Sequence, residues 1–169
     1  MAAAEVAAVA EAHAAIVALI KTIPDAALDW RLSADEWSLK QIIAHIAHAY
    51  DFYITIIEET RASDFGDVYL IPGSAGWRRI EATDTAVMQC ATVAAVLDRL
   101  TLAYQSAMAI FEGLTPAELD RPFILYAWRP DATDEHCTFR RRVLQTAAEH
   151  LREHRVQVAD TLTRWQAAS

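Results

Sequence analysis

Residues 37–60 read WSLKQIIAHIAHAYDFYITIIEET, and this stretch decides the fold. Ser38 followed three residues later by Gln41 has the form of a capping box, in which each side chain satisfies a backbone N–H at a helix start. Trp37 before the cap and Ile42 after it are placed as a hydrophobic staple. Ile42, Ile46, Ala49 and Phe52 then recur at helical spacing, so the stretch predicts an amphipathic helix over about 39–60. The same spacing marks three more segments, about 2–21, 83–112 and 138–166. Helices of this length span roughly 30–45 Å, at about 1.5 Å per residue. The expectation is an all-α four-helix bundle occupying 1–169 as a single domain, because no repeat, low-complexity tract or Gly/Ser linker divides the chain.

Composition agrees with this reading. Alanine supplies 34 of the 169 residues, whereas Gly and Pro together supply 9, a balance that favours helices over tight turns and argues against an all-β fold. With 15 Lys+Arg against 23 Asp+Glu, the formal charge is −8. No basic stripe offers a phosphate backbone a footprint, so nucleic acid is excluded as an expected partner. Cys90 and Cys137 form neither a disulfide framework nor a Cys-x-x-Cys motif, which fits a reducing, cytoplasmic setting. The Ala-rich opening is interrupted by Glu5, Glu11 and His13 and reads as a soluble helix, not a signal peptide or a membrane span.

The connections are also legible. Gly113 reads as a left-handed helix cap, and Thr115-Pro116-x-Glu118 as the start of a short helix. The last long helix begins near Thr138, with Asp134 as the alternative cap. Between the second and third helices, residues 61–83 carry three of the four glycines and are long enough to cross the bundle and leave consecutive helices parallel. Residues 114–137 hold Phe123, Tyr126 and Trp128 among three prolines and are expected to pack over one end. For these aromatics and Trp77, end packing is favoured over lining a pocket.

Six histidines are present. His150 and His154 lie four apart, so on a helix they share a face. Their stripe, which includes Val143, Thr146, Ala147 and Val158, looks inward, while Arg141, Arg152 and Arg155 occupy the opposite face. Inward imidazoles must satisfy each other or share a ligand. His45 sits on a comparable stripe of the second helix, and three inward histidines from two helices would make a three-nitrogen metal site with an open position. His48, one turn on, is the alternative to His45 or its neighbour. His13 and His136 are expected at the surface or in loops, Cys90 in the core, and Cys137 as a small filler. Arg140, Arg141 and Arg142 oppose the helix dipole; pairing with acidic surface is favoured, and holding an anionic substrate is the alternative. Glu149 or Glu153 is placed to orient a metal ligand from behind. No general acid or base is identifiable.

Trp37-Ser38-Leu39-Lys40-Gln41-Ile42-Ile43-Ala44-His45-Ile46 resembles the W-S-x-x-x-I/V-hydrophobic-x-H-L signature of DinB-like (DinB/YfiT) proteins, and His150-x3-His154-x-x-Gln157-Val158 resembles their closing H-x3-H-x-x-Q-I/V motif. The lead-in with Trp30 is similar too. This resemblance implies an up-down-down-up bundle with a long crossover after the second helix, and a divalent metal on His45, His150 and His154, with zinc or nickel expected from imidazole ligation. It also implies a small-molecule substrate handled by a metal-dependent hydrolase, or by an S-transferase using a low-molecular-weight thiol such as bacillithiol or mycothiol. Family members are often homodimers. A binding or structural bundle whose histidines only stabilise the core is the contrasting reading.

Overall fold

The computed structural model describes residues 2–66, 72–125 and 135–169. Six helices run α1 (Ala2–Ile20), α2 (Leu39–Ala62), α3 (Ala75–Met88), α4 (Val93–Phe111), the short α5 (Pro116–Leu119) and α6 (Thr146–Ala168). A π-helical turn, Arg141–Gln145, leads into α6. Strands β1 (Pro122–Leu125) and β2 (Glu135–Thr138) pair antiparallel, with Phe123 opposite Cys137.

The bundle is built from α1, α2, α4 and α6, and side-chain ties between helix ends set its directions. Glu5 near the start of α1 pairs with Arg140 just ahead of α6, so those two helices run together. The backbone N–H of Val93, at the start of α4, donates to Asp25 Oδ1 just past the end of α1 at 2.7 Å. At the far ends, Arg61 of α2 donates to Glu118, beyond the end of α4, at 2.9 Å. Arg164 of α6 reaches Glu36, before α2, at 3.3 Å. The order is therefore up-down-down-up, with α2 and α4 parallel and α3 inside the crossover between them.

Helix α2 is the central element, packed on α3, α4 and α6. Ile42, Ile43, Ile56 and Ile57 are fully buried, as suits a helix that is apolar over most of its circumference. Its capping box is formed: Gln41 N donates to Ser38 Oγ at 3.2 Å, and Ser38 N donates to Gln41 Oε1 at 2.8 Å. The lead-in is tied down by Lys40 Nζ, which donates to Asp29 at 2.9 Å. The short helix expected at Thr115-Pro116 is present as α5, and Thr115 and Glu118 form a second capping box at its start. Thr138 is the cap of the last helical stretch, its Oγ1 accepting from Arg141 N at 3.2 Å; Asp134 lies outside the described residues.

Helix α1 is long and apolar enough to cross a membrane by length and hydropathy alone. Here it is the bundle's first helix, with Val9, Ile16 and Ile20 fully buried and Ala4, Ala7, Ala14 and Ala18 exposed.

Four expectations are corrected. The segment 83–112 is two helices, because the chain breaks over Gln89–Thr92 and restarts with Thr92 Oγ1 accepting from Ala95 N at 3.2 Å. Cys90 consequently sits half-buried at that break. Gly113 is not left-handed; α4 closes through tighter turns, with Gly113 N donating to Ile110 O at 3.1 Å and Leu114 N to Phe111 O at 3.2 Å. His13 is buried, between α2 and α4. Phe123 packs as expected, its ring 5.5 Å from that of Phe139, while Tyr126 and Trp128 lie outside the described residues.

Gly76 sets how closely α3 approaches α2. A Cβ built at this position would lie 2.1 Å from Thr55 Cγ2, and Thr55 is itself fixed by donating to Asp51 O at 2.8 Å. Alanine normally gains up to about 1 kcal/mol over glycine in a helix, but overpacking costs about 1–3 kcal/mol, and here the clash dominates. Gly76→Ala should lower Tm in a circular-dichroism melt, and adding Thr55→Ser, which deletes the opposing methyl, should recover part of the loss.

Candidate functional site

Helices α2 and α6 cross so that His45, His150 and His154 converge. One ring nitrogen from each lies within 4.8 Å of the others. The ring centroids are 4.9 Å apart for His45–His150, 4.8 Å for His45–His154 and 4.3 Å for His150–His154. All three side chains are half-buried. The juxtaposition follows from the sequence: α2 is anchored by its capping box seven residues before His45, and one α-helical turn separates His150 from His154.

Hydrogen bonding orients the rings. His154 Nδ1 is 2.7 Å from Gln157 Oε1. An amide oxygen only accepts, so Nδ1 carries the proton and Nε2 keeps its lone pair. His150 Nε2 is buried and has no hydrogen-bond partner among the described residues, an arrangement that costs free energy unless something shares the site. Burial is the main force on the protonation of all three. It pushes His45 down to about 3, helped by its neighbours His48, His150 and His154. His150 falls to about 4, with His154, His48 and Arg142 adding to the burial effect. His154 is also lowered, against the opposing pull of Gln157 and Glu153. The cluster is neutral at physiological pH, which is the form in which imidazole ligates metals.

His48 does not join the three. Its ring stands edge-on to His45 at 4.6 Å, and its Nδ1 lies 3.3 Å from Asp84 Oδ1 on α3. Trp37 covers the other side of His45, with ring centroids 5.0 Å apart. Two large hollows reach the cluster, and a smaller one of about 240 Å³ reaches His45 beside Gln41 and Met88. A chamber of about 540 Å³ opens onto His45 and His150 and is walled by α2, α3 and the start of α6. A groove of about 630 Å³ runs past His154 on the outside, lined by Asp35, Glu36, Glu153 and Asp160.

Trp77 lines the chamber instead of packing over a bundle end, because it belongs to α3, a helix not expected in the crossover. The three arginines divide. Arg140 pairs with Glu5 and Asp120, and Arg141 with Glu149 at 2.6 Å. Arg142 enters the chamber, its guanidinium 5.0 Å from the centre of the Phe52 ring. Glu149 is thereby engaged on the surface and does not stand behind a histidine, while Glu153 lines the outer groove. His136 is exposed and Cys137 half-buried. Asp84 had no sequence signal, since only the tertiary packing of α3 on α2 brings it to His48. Gln157 was visible as part of the closing motif, three residues after His154 on the same face.

Fold and site together define an up-down-down-up helical bundle with a three-histidine group between α2 and α6. The chain belongs to the DinB superfamily, whose sequence profile matches residues 8–158. Among solved structures it is similar to YfiT from Bacillus subtilis, described as a probable metal-dependent hydrolase with an unusual four-helix bundle topology. The TM-score is 0.67 at 18% identity, covering 98% of this chain and 87% of that one. It is also similar to an uncharacterised protein from Clostridium difficile 630, with a TM-score of 0.64 at 14% identity, covering 96% and 94% of the two chains. No curated protein matches the chain.

A separate histidine carries its own consequence. His13 is 8% exposed, its Nδ1 lies 2.9 Å from Tyr50 Oη, and its ring stacks on Tyr104 at 3.7 Å. Burial pushes its pKa down to about 4 from an ordinary 6.5. Below pH 6.5 the unfolded chain takes up a proton that the folded chain refuses, so stability falls as pH drops until the folded pKa is passed. His13→Phe should start less stable at pH 7, because Tyr50 loses its partner. Between pH 6.5 and 4 it should then lose about 3 kcal/mol less than the wild type in urea titrations.

Proposed function

We propose that the protein is a metal-dependent hydrolase of a small-molecule substrate, with a divalent ion held by His45, His150 and His154. The observation that carries this reading is the buried Nε2 of His150, unpartnered among the described residues, within a group of three neutral imidazoles. A core cluster would close its hydrogen bonds internally, whereas a ligand set leaves lone pairs aimed at a common point. The likeness to a bundle described as a probable metal-dependent hydrolase supports the same conclusion.

The donor set fits zinc first and nickel second, being all-nitrogen and without carboxylate or thiolate among its three members. Bound there, such an ion supplies Lewis acidity, acidifying a water and polarising the bond to be cleaved. The remaining work belongs to the chain. Gln157 holds the His154 tautomer, Trp37 shields the outer side of His45, and the chamber brings a substrate to the open side of His45 and His150. His48, held by Asp84, stands at the mouth of that chamber beside His45. The open position would equally accept a small thiol, and turnover with a thiol in place of water would redirect the assignment to S-transferase. The acidic balance offers a phosphate backbone no attraction, so a small molecule and not a nucleic acid is the proposed partner, and the two free cysteines fit a reducing, cytoplasmic setting.

Purified without a histidine tag, the protein should bind one equivalent of zinc by elemental analysis. Zinc at about 100 times its Kd should raise Tm by about 5–10 °C. His150→Ala should abolish stoichiometric binding while far-ultraviolet circular dichroism stays helical; retained binding would overturn the ligand assignment. Gln157→Leu should weaken zinc affinity about 10–100-fold by releasing His154. Hydrolysis of an ester or amide panel should disappear with chelator and return with zinc. Protein that binds no transition metal would instead be a structural or binding bundle.

A further inference from the structure

Helix α3 separates two spaces. Trp77, Ile80, Glu81 and Asp84 recur at helical spacing and line the chamber beside the histidines. Arg79, Ala82, Thr83 and Ala86 recur at the same spacing two residues on, about 200° further around the helix. They line a second hollow, of about 260 Å³, between α2, α3 and α4. The proposed hydrolase makes no use of this second space. Its wall on α2 is Asp51, a carboxylate only 7% exposed.

A carboxylate this deep is costly unless it is paired and fully hydrogen-bonded. Asp51 is only half provided for. Thr83 Oγ1 donates to its Oδ2. Its Oδ1 has no hydrogen-bond partner among the described residues, yet it is not one of the fully enclosed unpaired atoms, so it keeps an open side where Asp51 borders the hollow. Arg79 acts on Asp51 at a distance, while its guanidinium donates to Glu58 at 2.8 Å. Burial pushes the Asp51 carboxyl up from its ordinary range, as expected of a charge without a close counter-ion. The hydroxyls of the same hollow have spent their protons, Thr83 on Asp51 and Ser106 on Leu102 O at 3.0 Å, so neither has one left for a ligand. Ala82, Leu102 and Ala103 supply apolar surface. Arg99 stands exposed at the rim, where solvent and salt screen its charge.

We infer that this hollow is a second binding site, for a small primary ammonium compound with an apolar body, its cationic head held by Asp51. An ammonium carries three donors and no acceptor, which matches a wall whose carboxylate is open and whose hydroxyl protons are taken. The charge-assisted bond offsets the cost of keeping Asp51 buried, and the apolar body displaces water along Ala82, Leu102 and Ala103. A neutral alcohol of the same shape lacks the charge, and an anion meets Asp51 with the wrong sign. The site is separate from the three histidines and stands whether or not they hold a metal. Thr83 and Asp84 are consecutive on α3, so an occupant here bears on the back of the wall whose front holds Asp84 against His48.

The test uses 2-phenylethylammonium and its neutral isostere 2-phenylethanol on metal-free full-length protein, read by calorimetry and by backbone-amide NMR shifts. The ammonium should bind at least about tenfold tighter than the alcohol, with the largest shifts at Thr83, Ala103 and Ser106. Asp51→Asn, which keeps the shape and an acceptor for Thr83, should erase that preference while leaving the alcohol's affinity within about twofold. Equal affinity of the two compounds for wild-type protein, or no binding of either, would overturn the inference, a comparison that needs no variant to fold. So would a preference that persists in folded Asp51→Asn, or shifts centred on Asp35, Glu153 and Asp160, because the cation would then sit in the acidic outer groove. Added zinc should leave the preference unchanged; its loss on zinc binding would move the ammonium to the histidines and overturn the assignment to this hollow.

Discussion

Three imidazoles confined to one small volume cannot be charged together, and the architecture around them depends on that constraint. Burial and mutual repulsion hold His45 and His150 far below the ordinary histidine range. The rings therefore present lone pairs, and those lone pairs need a partner. Gln157 takes the proton-bearing side of His154, while His150 Nε2 is left with nothing to bond among the described residues. A bundle core built only for stability would fill this space with leucine and isoleucine, as it does nearby on the same helix at Ile42 and Ile46. Three polar groups gathered between α2 and α6 are costly to keep unless something shares the site.

Helix order is what makes the site possible. In an up-down-down-up bundle α2 and α4 run parallel, so the chain must travel the length of the bundle between them. That return path carries α3, and α3 packs antiparallel along α2, with Asp84 beside His48 and Arg79 beside Glu58. The crossover thereby becomes the third wall of the chamber. Gly76 allows this wall to sit against Thr55; a bulkier residue there would move Trp77, Ile80 and Asp84 outward together. Substrate space and backbone topology are in this sense one feature.

The parts legible in the sequence were those set by local chemistry. The Ser38–Gln41 capping box, the short helix start at Thr115-Pro116, the helix start at Thr138 and the four-residue spacing of His150 and His154 depend on residues within one turn of each other, and all are present. What escaped was set by packing between distant segments. The break over Gln89–Thr92 contains neither glycine nor proline, and its apolar spacing continues smoothly into α4, so nothing local announces it except Thr92 as a cap. His13 looked like an interruption of an alanine helix, yet Tyr50 and Tyr104, 37 and 91 positions away, surround it. Gly113 was expected to be left-handed because glycine can adopt that conformation; the helix end closes with right-handed turns and does not need it. Conformational freedom in a residue is a permission and carries no instruction. Arg142 illustrates the same limit, since only the π turn and the neighbouring Phe52 separate its role from those of Arg140 and Arg141.

The two hollows that meet at the histidines differ in polarity, and the difference has a directional consequence. The outer groove past His154 is lined by Asp35, Glu36, Glu153 and Asp160, with Arg164 engaged by Glu36. An anion approaching from that side meets net negative charge, which slows encounter and weakens residence. A hydrated cation is favoured on the same path. The inner chamber has the reverse bias at its far end, where Arg142 stands on Phe52, and an apolar stretch between. The groove touches the histidine group at His154 and the chamber touches it at His45 and His150. Trp37 lines both hollows. A large aromatic ring that is 45% exposed yet packed on the ring of His45 therefore belongs to the walls of the site as well as to the helix start of the opening motif.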